Sequence, residues 1–459
     1  MSMLDGIASL ASLIRRKLLE PLYFGRSGSK RLSYWKELET TQFWDENLLR
    51  EVQWNRLSKM VGFAYENNRF YRARFKAADL RPEDIKTPED FRRLPILTKK
   101  EIRKHTPIMI SNGLRKEDLL CFKTGGSTGK SMELFITEEC SELRNACARR
   151  YDRWTGWEPG EAIGALWGNP KRPCTLRDKI VDRLVQPIVY LDTMEFNDDS
   201  IRRFAAEWQV AKPTLLFGHA HSLYLLAMNI RKLGAVSIRP RGILSTSMML
   251  LPYERALIED VFGMKVFDRY GCEEVSLIAA ECEKHEGLHL NIEHLYIEFI
   301  REDGIPASPG ESGKIIVTDL MNFAMPFLRY QVEDVGIPSM RRCSCGRGLP
   351  LMEGVVGRVA DFLVTREGTR VAGVSLIENT LTKISGIAQL QIIQESYEKI
   401  TLKVVREEGC PESSLRQLSD YFDQMFSGMD IDLITVEEIF PEKSGKYRFS
   451  ICKIDSSLD

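Results

Sequence analysis

The run Lys123-Thr124-Gly125-Gly126-Ser127-Thr128-Gly129-Lys130 packs three hydroxyl side chains, three glycines and a closing lysine into eight residues. Glycine lets the backbone come close to an anion, and the hydroxyls of Thr124, Ser127 and Thr128 with the ammonium of Lys130 can bond its oxygens. The chemistry this suits is the cradling of a polyphosphate. It is not the P-loop of nucleotide triphosphatases, which needs four residues between its first Gly and its Gly-Lys, and a helix after them. Gly125 and Gly129 enclose only three, and Met132-Glu133-Leu134-Phe135-Ile136 reads as a strand. A surface turn rich in Ser, Thr and Gly is the plain alternative.

Further segments carry groups of use to the same chemistry. Tyr270-Gly271-Cys272-Glu273-Glu274 joins an aromatic ring to a carboxylate, an oxygen ligand suited to Mg²⁺. Arg329-Tyr330-Gln331-Val332-Glu333-Asp334 ends in a carboxylate able to accept two hydroxyl hydrogen bonds; Asp334 is preferred for this over Glu333. Pro441-Glu442-Lys443-Ser444-Gly445-Lys446 sets a lysine on a Ser-Gly turn. Cys343-Ser344-Cys345-Gly346, and Cys282 with His285 or His289, make two short ligand pairs of the kind a tetrahedral structural zinc takes. Free thiols, an acidic surface turn and a solvated lysine are the bland readings of the same residues.

In the order and spacing of these segments the chain resembles the adenylate-forming superfamily of acyl-CoA synthetases, firefly luciferase and peptide-synthetase adenylation domains. Within it the resemblance is to the phenylacetate-CoA ligase branch and its capsular-polysaccharide, or CapK-like, relatives, from the helical N-terminal part to Lys446. The resemblance implies that residues 124–130 hold the phosphates of ATP, with Thr128 a catalytic contact. It implies Tyr270 and Gly271 beside adenine, Glu274 on the ATP-bound Mg²⁺, and Asp334 on the ribose hydroxyls. Arg358 becomes a further nucleotide contact, and Lys446 reaches the carboxylate and α-phosphate oxygens as pyrophosphate leaves. Gly357-Arg358-Val359-Ala360-Asp361 resembles the family's interdomain hinge, with Ala360 where an acid is usual, and Glu273 stands where a hydroxyl is usual. Gly287-Leu288-His289 makes His289 the preferred zinc ligand with Cys282, Cys343 and Cys345. By family position the acyl pocket touches Trp167, His219, His221 and Ser247, although each histidine reads equally well as structural.

The elements that would position these residues follow from periodicity. Residues 3–20 have apolar positions at helical spacing and are expected to pack on the body of the protein as an amphipathic helix, with membrane-surface contact the alternative. Residues 40–110 read as helices broken by Pro82, Pro88 and Pro95. From about 120 to 350, β-rich runs at 162–167, 188–190, 214–217 and 242–245 alternate with helical ones at 222–233 and 252–261, which indicates mostly parallel sheets covered by helices. Residues 289–300 and 313–319 read as paired strands of a smaller β unit about the Asp303-Gly304 turn. The last hundred or so residues read as a compact α+β unit with helices at 375–383 and 412–426.

The expectation is therefore an α/β protein with a large domain at 1–357, mostly helical over 1–110, and a small mobile domain at 358–459 joined by a hinge. The chain has 459 residues, 64 basic and 65 acidic, so no net field collects nucleic acid. Its ten cysteines are scattered as in a cytoplasmic protein, and no run is long and apolar enough to span a membrane. The expected reaction is activation of a carboxylic acid as its acyl-adenylate, followed by transfer to coenzyme A, with a homodimer a possible assembly. An amide- or ester-forming ligase acting on an amine or hydroxyl acceptor, and a non-catalytic nucleotide-binding relative, are the alternatives.

Overall fold

The structure is a computed structural model that describes residues 10–124, 132–168, 184–234, 237–356, 362–381, 383–407, 409–439 and 448–454. Its centre is a sheet of eleven strands. On one side β3 (Ile163–Trp167), β4 (Ile188–Asp192), β5 (Leu215–His219), β6 (Gly242–Thr246) and β7 (Val266–Cys272) run parallel in the order β4-β3-β5-β6-β7. On the other, β8 (Ser276–Glu281), β9 (Leu288–Leu290), β10 (Leu295–Ile300), β11 (Gly313–Asp319), β12 (Tyr330–Pro338) and β13 (Leu351–Val356) continue it antiparallel. Strands β1 (Leu120–Thr124) and β2 (Met132–Ile136) form a separate hairpin flanking the glycine-rich segment.

The parallel half matches the alternation in the sequence, since apolar five-residue strands return through the helices Asp198–Ala211, Ala220–Leu233 and Pro252–Phe262. Pro252 opens the last of these and Gly263, with φ of 69°, closes it in the left-handed region. One expectation changes. The run 289–300 is not one strand but breaks into β9 and β10 at residues 291–294. The β10–β11 pair is antiparallel as expected, and β12 and β13 join it to the large sheet.

The N-terminal helices form much of the main core, in which Leu57, Met60, Val61, Ala64, Phe75 and Phe91 are buried with the antiparallel strands. Residues 10–26 are helical, with a π turn over Arg15–Leu19. This segment docks by its charged side: Arg15 donates to the Gly160 carbonyl at 3.3 Å, Arg16 meets Glu158 at 3.0 Å, and Glu20 pairs with Arg149. Leu10, Leu13, Ile14, Leu18 and Leu22 face outward, the reverse of the expected packing. Among the described residues no helix is long and apolar enough to cross a membrane.

The C-terminal unit is a four-stranded sheet in the order β18 (Asp430–Thr435), β17 (Lys399–Arg406), β16 (Ile387–Gln394), β19 (Ser450–Cys452). The helices Gly373–Leu381 and Glu412–Met425 bury Leu376, Ile377, Leu418 and Phe422 with it, and the small pair β14 (Phe362–Val364) and β15 (Arg370–Ala372) precedes them. Met194 and Met248 of the large sheet's connections pack against this cluster.

Candidate functional site

Strand β7 is where the sheet changes direction, parallel to β6 and antiparallel to β8. Chain leaving a sheet at such a point opens a crevice at the strand ends. Here that crevice is a cavity of about 700 Å³, lined by Thr246 and Ser247 at the end of β6, Tyr270 to Glu274 at the end of β7 and just beyond it, and Asp334 of β12. Gly271 is required locally, because a Cβ there would lie 2.6 Å from the Ser276 carbonyl oxygen.

Two tyrosines and two acids brace this opening crosswise. Tyr270 Oη donates to Asp334 Oδ2 at 2.8 Å, and Tyr330 Oη donates to Glu274 Oε1 at 3.0 Å. Burial, then the Glu274 charge, pushes the Tyr330 phenol well above its ordinary range, so it stays a donor. Arg144 supports the turn from below, donating to the Glu274 carbonyl at 2.8 Å and to Asp319 at 2.9 Å.

The sequence reading missed Lys99. It is the first residue of the helix Lys99–Met109, whose start is fixed by the Thr98 and Glu101 capping box. Leu97 bridges to Tyr330 in a short parallel pairing, which lays this helix end against β12. Lys99 is 4% exposed, with Nζ 3.5 Å from Glu274 and 3.0 Å from Glu333. The only sequence signal is a Thr-Lys-Lys-Glu helix start, which reads as solvated. Glu274 and Glu333 supply the carboxylate oxygens that a hard cation such as Mg²⁺ takes, with the Lys99 ammonium between them.

Backbone strain lies along the same opening at Ser247 and Ser276, and behind it at Arg329 and Glu333. Ser247, Ser276, Arg329 and Glu333 have φ of 65°, 64°, 53° and 75°, in the left-handed region that favours glycine. Arg329 is held there by Glu298 at 3.0 Å and by the Leu94 carbonyl at 2.6 Å.

Of the residues expected in the acyl pocket, Trp167 and Ser247 line the cavity and the two histidines do not. His219 is fully buried at the end of β5, its ring centroid 4.2 Å from that of Trp167, and among the described residues neither ring nitrogen has a hydrogen-bond partner. Burial lowers its pKa to about 4, so it is neutral. His221 lies in the first turn of the next helix and meets Glu254 at 2.6 Å. Ser141, Asn145 and Ala148 of the helix Glu138–Trp154, with Asp268 and Arg269, complete this side of the cavity. Burial, and then the facing Glu281 carboxylate, pushes Asp268 up to about 7.

The glycine-rich residues Gly125, Gly126, Ser127, Thr128, Gly129 and Lys130, the hinge with Arg358, and Lys446 lie outside the described residues. Their neighbours do not. Thr124 closes β1 opposite Met132, Phe122 and Ile136 of that hairpin line the cavity, and so does Phe449, three residues beyond Lys446.

A second cluster joins Cys282, His289, Cys343 and Cys345, whose ligand atoms all lie within 4.8 Å of one another. Cys282 and Cys343 sulfurs are 3.5 Å apart, and Cys345 Sγ is 3.4 Å from His289 Nε2. His289 Nδ1 lies 2.9 Å from the Leu349 carbonyl, an arrangement that makes Nδ1 the donor and turns Nε2 to the sulfurs. Burial opposes ionisation of Cys345, but hydrogen bonds from His289 and Arg347 outweigh it and draw the thiol down to about 6. The donor set and its spacing fit tetrahedral zinc. His285 is not part of it and turns to Glu281 at 3.1 Å.

Comparison with known proteins agrees with this architecture. Residues 363–453 match the CapK C-terminal domain family. The chain is 26% identical over 346 residues to a phenylacetate-coenzyme A ligase of Thermus thermophilus, covering 73% of this chain and 75% of the relative. It is 26% identical over 380 residues to the phenylacetate-coenzyme A ligase of Escherichia coli, covering 79% and 83%. It is 23% identical over 438 residues to Protein CapK of Staphylococcus aureus, covering 92% and 94%. In fold it is similar to a 2-hydroxyisobutyryl-CoA ligase solved with 2-HIB-AMP and CoA in the thioesterification state, with a TM-score of 0.60 and 19% identity over 88% of this chain and 90% of that one.

Proposed function

Because the chain belongs to the adenylate-forming ligase superfamily, in its phenylacetate-CoA ligase and CapK branch, we propose that it activates a carboxylic acid with ATP and passes the acyl group to coenzyme A. The observation that carries this is the cleft at β7, where Tyr270, Glu274, Asp334 and Lys99 converge.

In this reading Asp334 accepts the ribose hydroxyls and Tyr270, fixed by its bond to Asp334, presents its ring to adenine. Residues 124–130 receive the phosphates from the hairpin whose Phe122 and Ile136 border the cleft. Lys99, already between two carboxylates, adds positive charge on the same side. Glu274 and Glu333 would hold Mg²⁺, which when bound neutralises charge on the reacting phosphates. An oxygen of the substrate carboxylate attacks the α-phosphorus, and the bond to the β-phosphate breaks to release pyrophosphate. Lys446 stabilises the charge on those oxygens. The acceptor thiol then attacks the acyl carbonyl and AMP leaves with the bonding pair, the thiol proton passing to solvent. Cys282, His289, Cys343 and Cys345 would hold a structural zinc, leaving no position open for chemistry.

The second reading for the acceptor is an amine or hydroxyl in place of the thiol. Acid-dependent exchange of pyrophosphate into ATP tests the shared half-reaction. Exchange is expected with at least one class of acid and is expected to be lost in Lys446→Ala. Exchange unaffected by that substitution would remove the proposed role of the lysine, and product mass with and without coenzyme A separates the acceptors.

A further inference from the structure

Behind the acyl side of the cleft lies a second cavity of about 180 Å³. Asn145 and Ala148, one turn apart on the helix Glu138–Trp154, line both cavities, so the wall between them is one side chain thick. The Arg269–Asp152 ion pair at 2.8 Å also spans it, with Arg269 on the cleft and Asp152 on the inner chamber.

Charged groups, Glu20, Arg149 and Asp152 among them, line this chamber beside Trp157, Ile163 and Ile188. Glu20 and Arg149, 2% and 5% exposed, face it and pair through Glu20 Oε2. Arg149 is held by the Trp35 and Trp157 rings, 5.1 and 5.9 Å from its guanidinium carbon. Among the described residues Glu20 Oε1, Arg149 Nε and the Nε of neighbouring Arg31 are buried without hydrogen-bond partners, although the Gly160 amide also lies at the Glu20 carboxylate. A buried polar atom left unpaired is costly, so a site that keeps an acceptor and donors open together is matched to a ligand that brings the complements.

Resting on the ligase reading above, we propose that the chamber is the distal half of the acyl site and selects acids whose far end carries amide or hydroxyl groups. An N–H or O–H of the tail donates to Glu20 Oε1, and a carbonyl or hydroxyl oxygen of the tail accepts from Arg149 or Arg31. The reacting carboxylate stays in the cleft beside Tyr270, and the tail reaches the chamber past Asn145 and Ala148, where the side chains that divide the two cavities move aside. A hydrocarbon tail of equal length leaves the same atoms unpaired and is rejected, as sites built to bond a polar group reject analogues that lack it.

The test is pyrophosphate exchange with pairs of acids matched in length, one a straight hydrocarbon chain and the other carrying an amide several bonds beyond the carboxylate. The unmodified protein is expected to prefer the amide acid in kcat/KM by about tenfold or more, equivalent to the ~1.4 kcal/mol of one good hydrogen bond. Glu20→Gln, which keeps the side-chain shape beside Arg149, should reduce that ratio severalfold. Ile188→Trp, which fills the chamber from its exposed rim, should abolish it. If exchange occurs but the two acids are used equally, and neither substitution moves the ratio, the chamber holds only water and the proposal is overturned while the ligase reading stands. Absence of exchange with every acid sinks both.

Discussion

Tyr270 and Asp334, sixty-four residues apart in the chain, share a hydrogen bond of 2.8 Å across the mouth of the cleft. Tyr330 and Glu274 make the reciprocal contact at 3.0 Å, so each of two segments lends one ring and one acid. The nucleotide half of the site is thus fastened by the groups proposed to bind the nucleotide.

Removing the Tyr270 hydroxyl tests this. Tyr270→Phe keeps the ring and removes its bond to Asp334, at a cost of about 1 kcal/mol for one hydrogen bond. The KM for ATP in pyrophosphate exchange should rise about fivefold with little change in kcat, and Asp334→Ala should raise it further. An unchanged KM in both variants would detach this pair from nucleotide binding.

Lys99 has the opposite balance of roles. Lys99→Met removes the ammonium that Glu274 and Glu333 share, and breaking a buried pair from one side costs about 3 kcal/mol. The expected result is a lower thermal midpoint together with a loss of exchange activity of roughly a hundredfold, in line with removal of one electrostatic group from a reacting site. Added Mg²⁺ should recover part of the lost midpoint. If the midpoint falls and activity does not, Lys99 is a fastening only.

The thiol cluster makes a prediction of composition. Purified protein should contain about one zinc per chain by elemental analysis, and Cys343→Ser should reduce both the zinc content and the midpoint. The ligands at 282–289 and 343–345 bracket β10, β11 and β12, so the metal would close a loop of about sixty residues and its loss should loosen those strands first. Full stability with no bound metal would remove the assignment.

Asp268 gives a pH signature. Its folded carboxyl is raised from 3.8 to about 7 by burial and then by Glu281. The folded chain therefore keeps a proton that the unfolded chain has already released, and this group's share of stability is lost as pH rises from about 4 to 7. Asp268→Asn removes that loss. The midpoint of the variant relative to the parent should climb across that window and level above it, and a flat difference would contradict the shift.

Much of this was legible in the residues. Alternation of strand and helix from 163 to 272 appears in the sequence because parallel strands buried on both faces read as short apolar runs. The break between β9 and β10 was hidden, since His289-Leu290-Asn291-Ile292-Glu293 alternates as a strand does. What ends the strand is distant: Glu293 pairs with buried Arg150, and the Asn291 side chain donates to the Leu277 carbonyl at 2.9 Å. The N-terminal helix misled for a related reason. Its spacing identified a helix, but whether leucines or arginines face the body depended on Glu158 and Gly160, far along the chain. Tyr270, Glu274 and Asp334 could be picked out by type and spacing, whereas Lys99 enters the cleft only through the pairing of Leu97 with Tyr330.

The four left-handed bends at Ser247, Ser276, Arg329 and Glu333 have a consequence for heat tolerance. Glycine at any of them would relieve a penalty of roughly 1 kcal/mol, so the rim is held in tension by the interior beneath it. A chain tuned only to survive warming would let those bends go slack, and the shape of the opening is what it would forfeit.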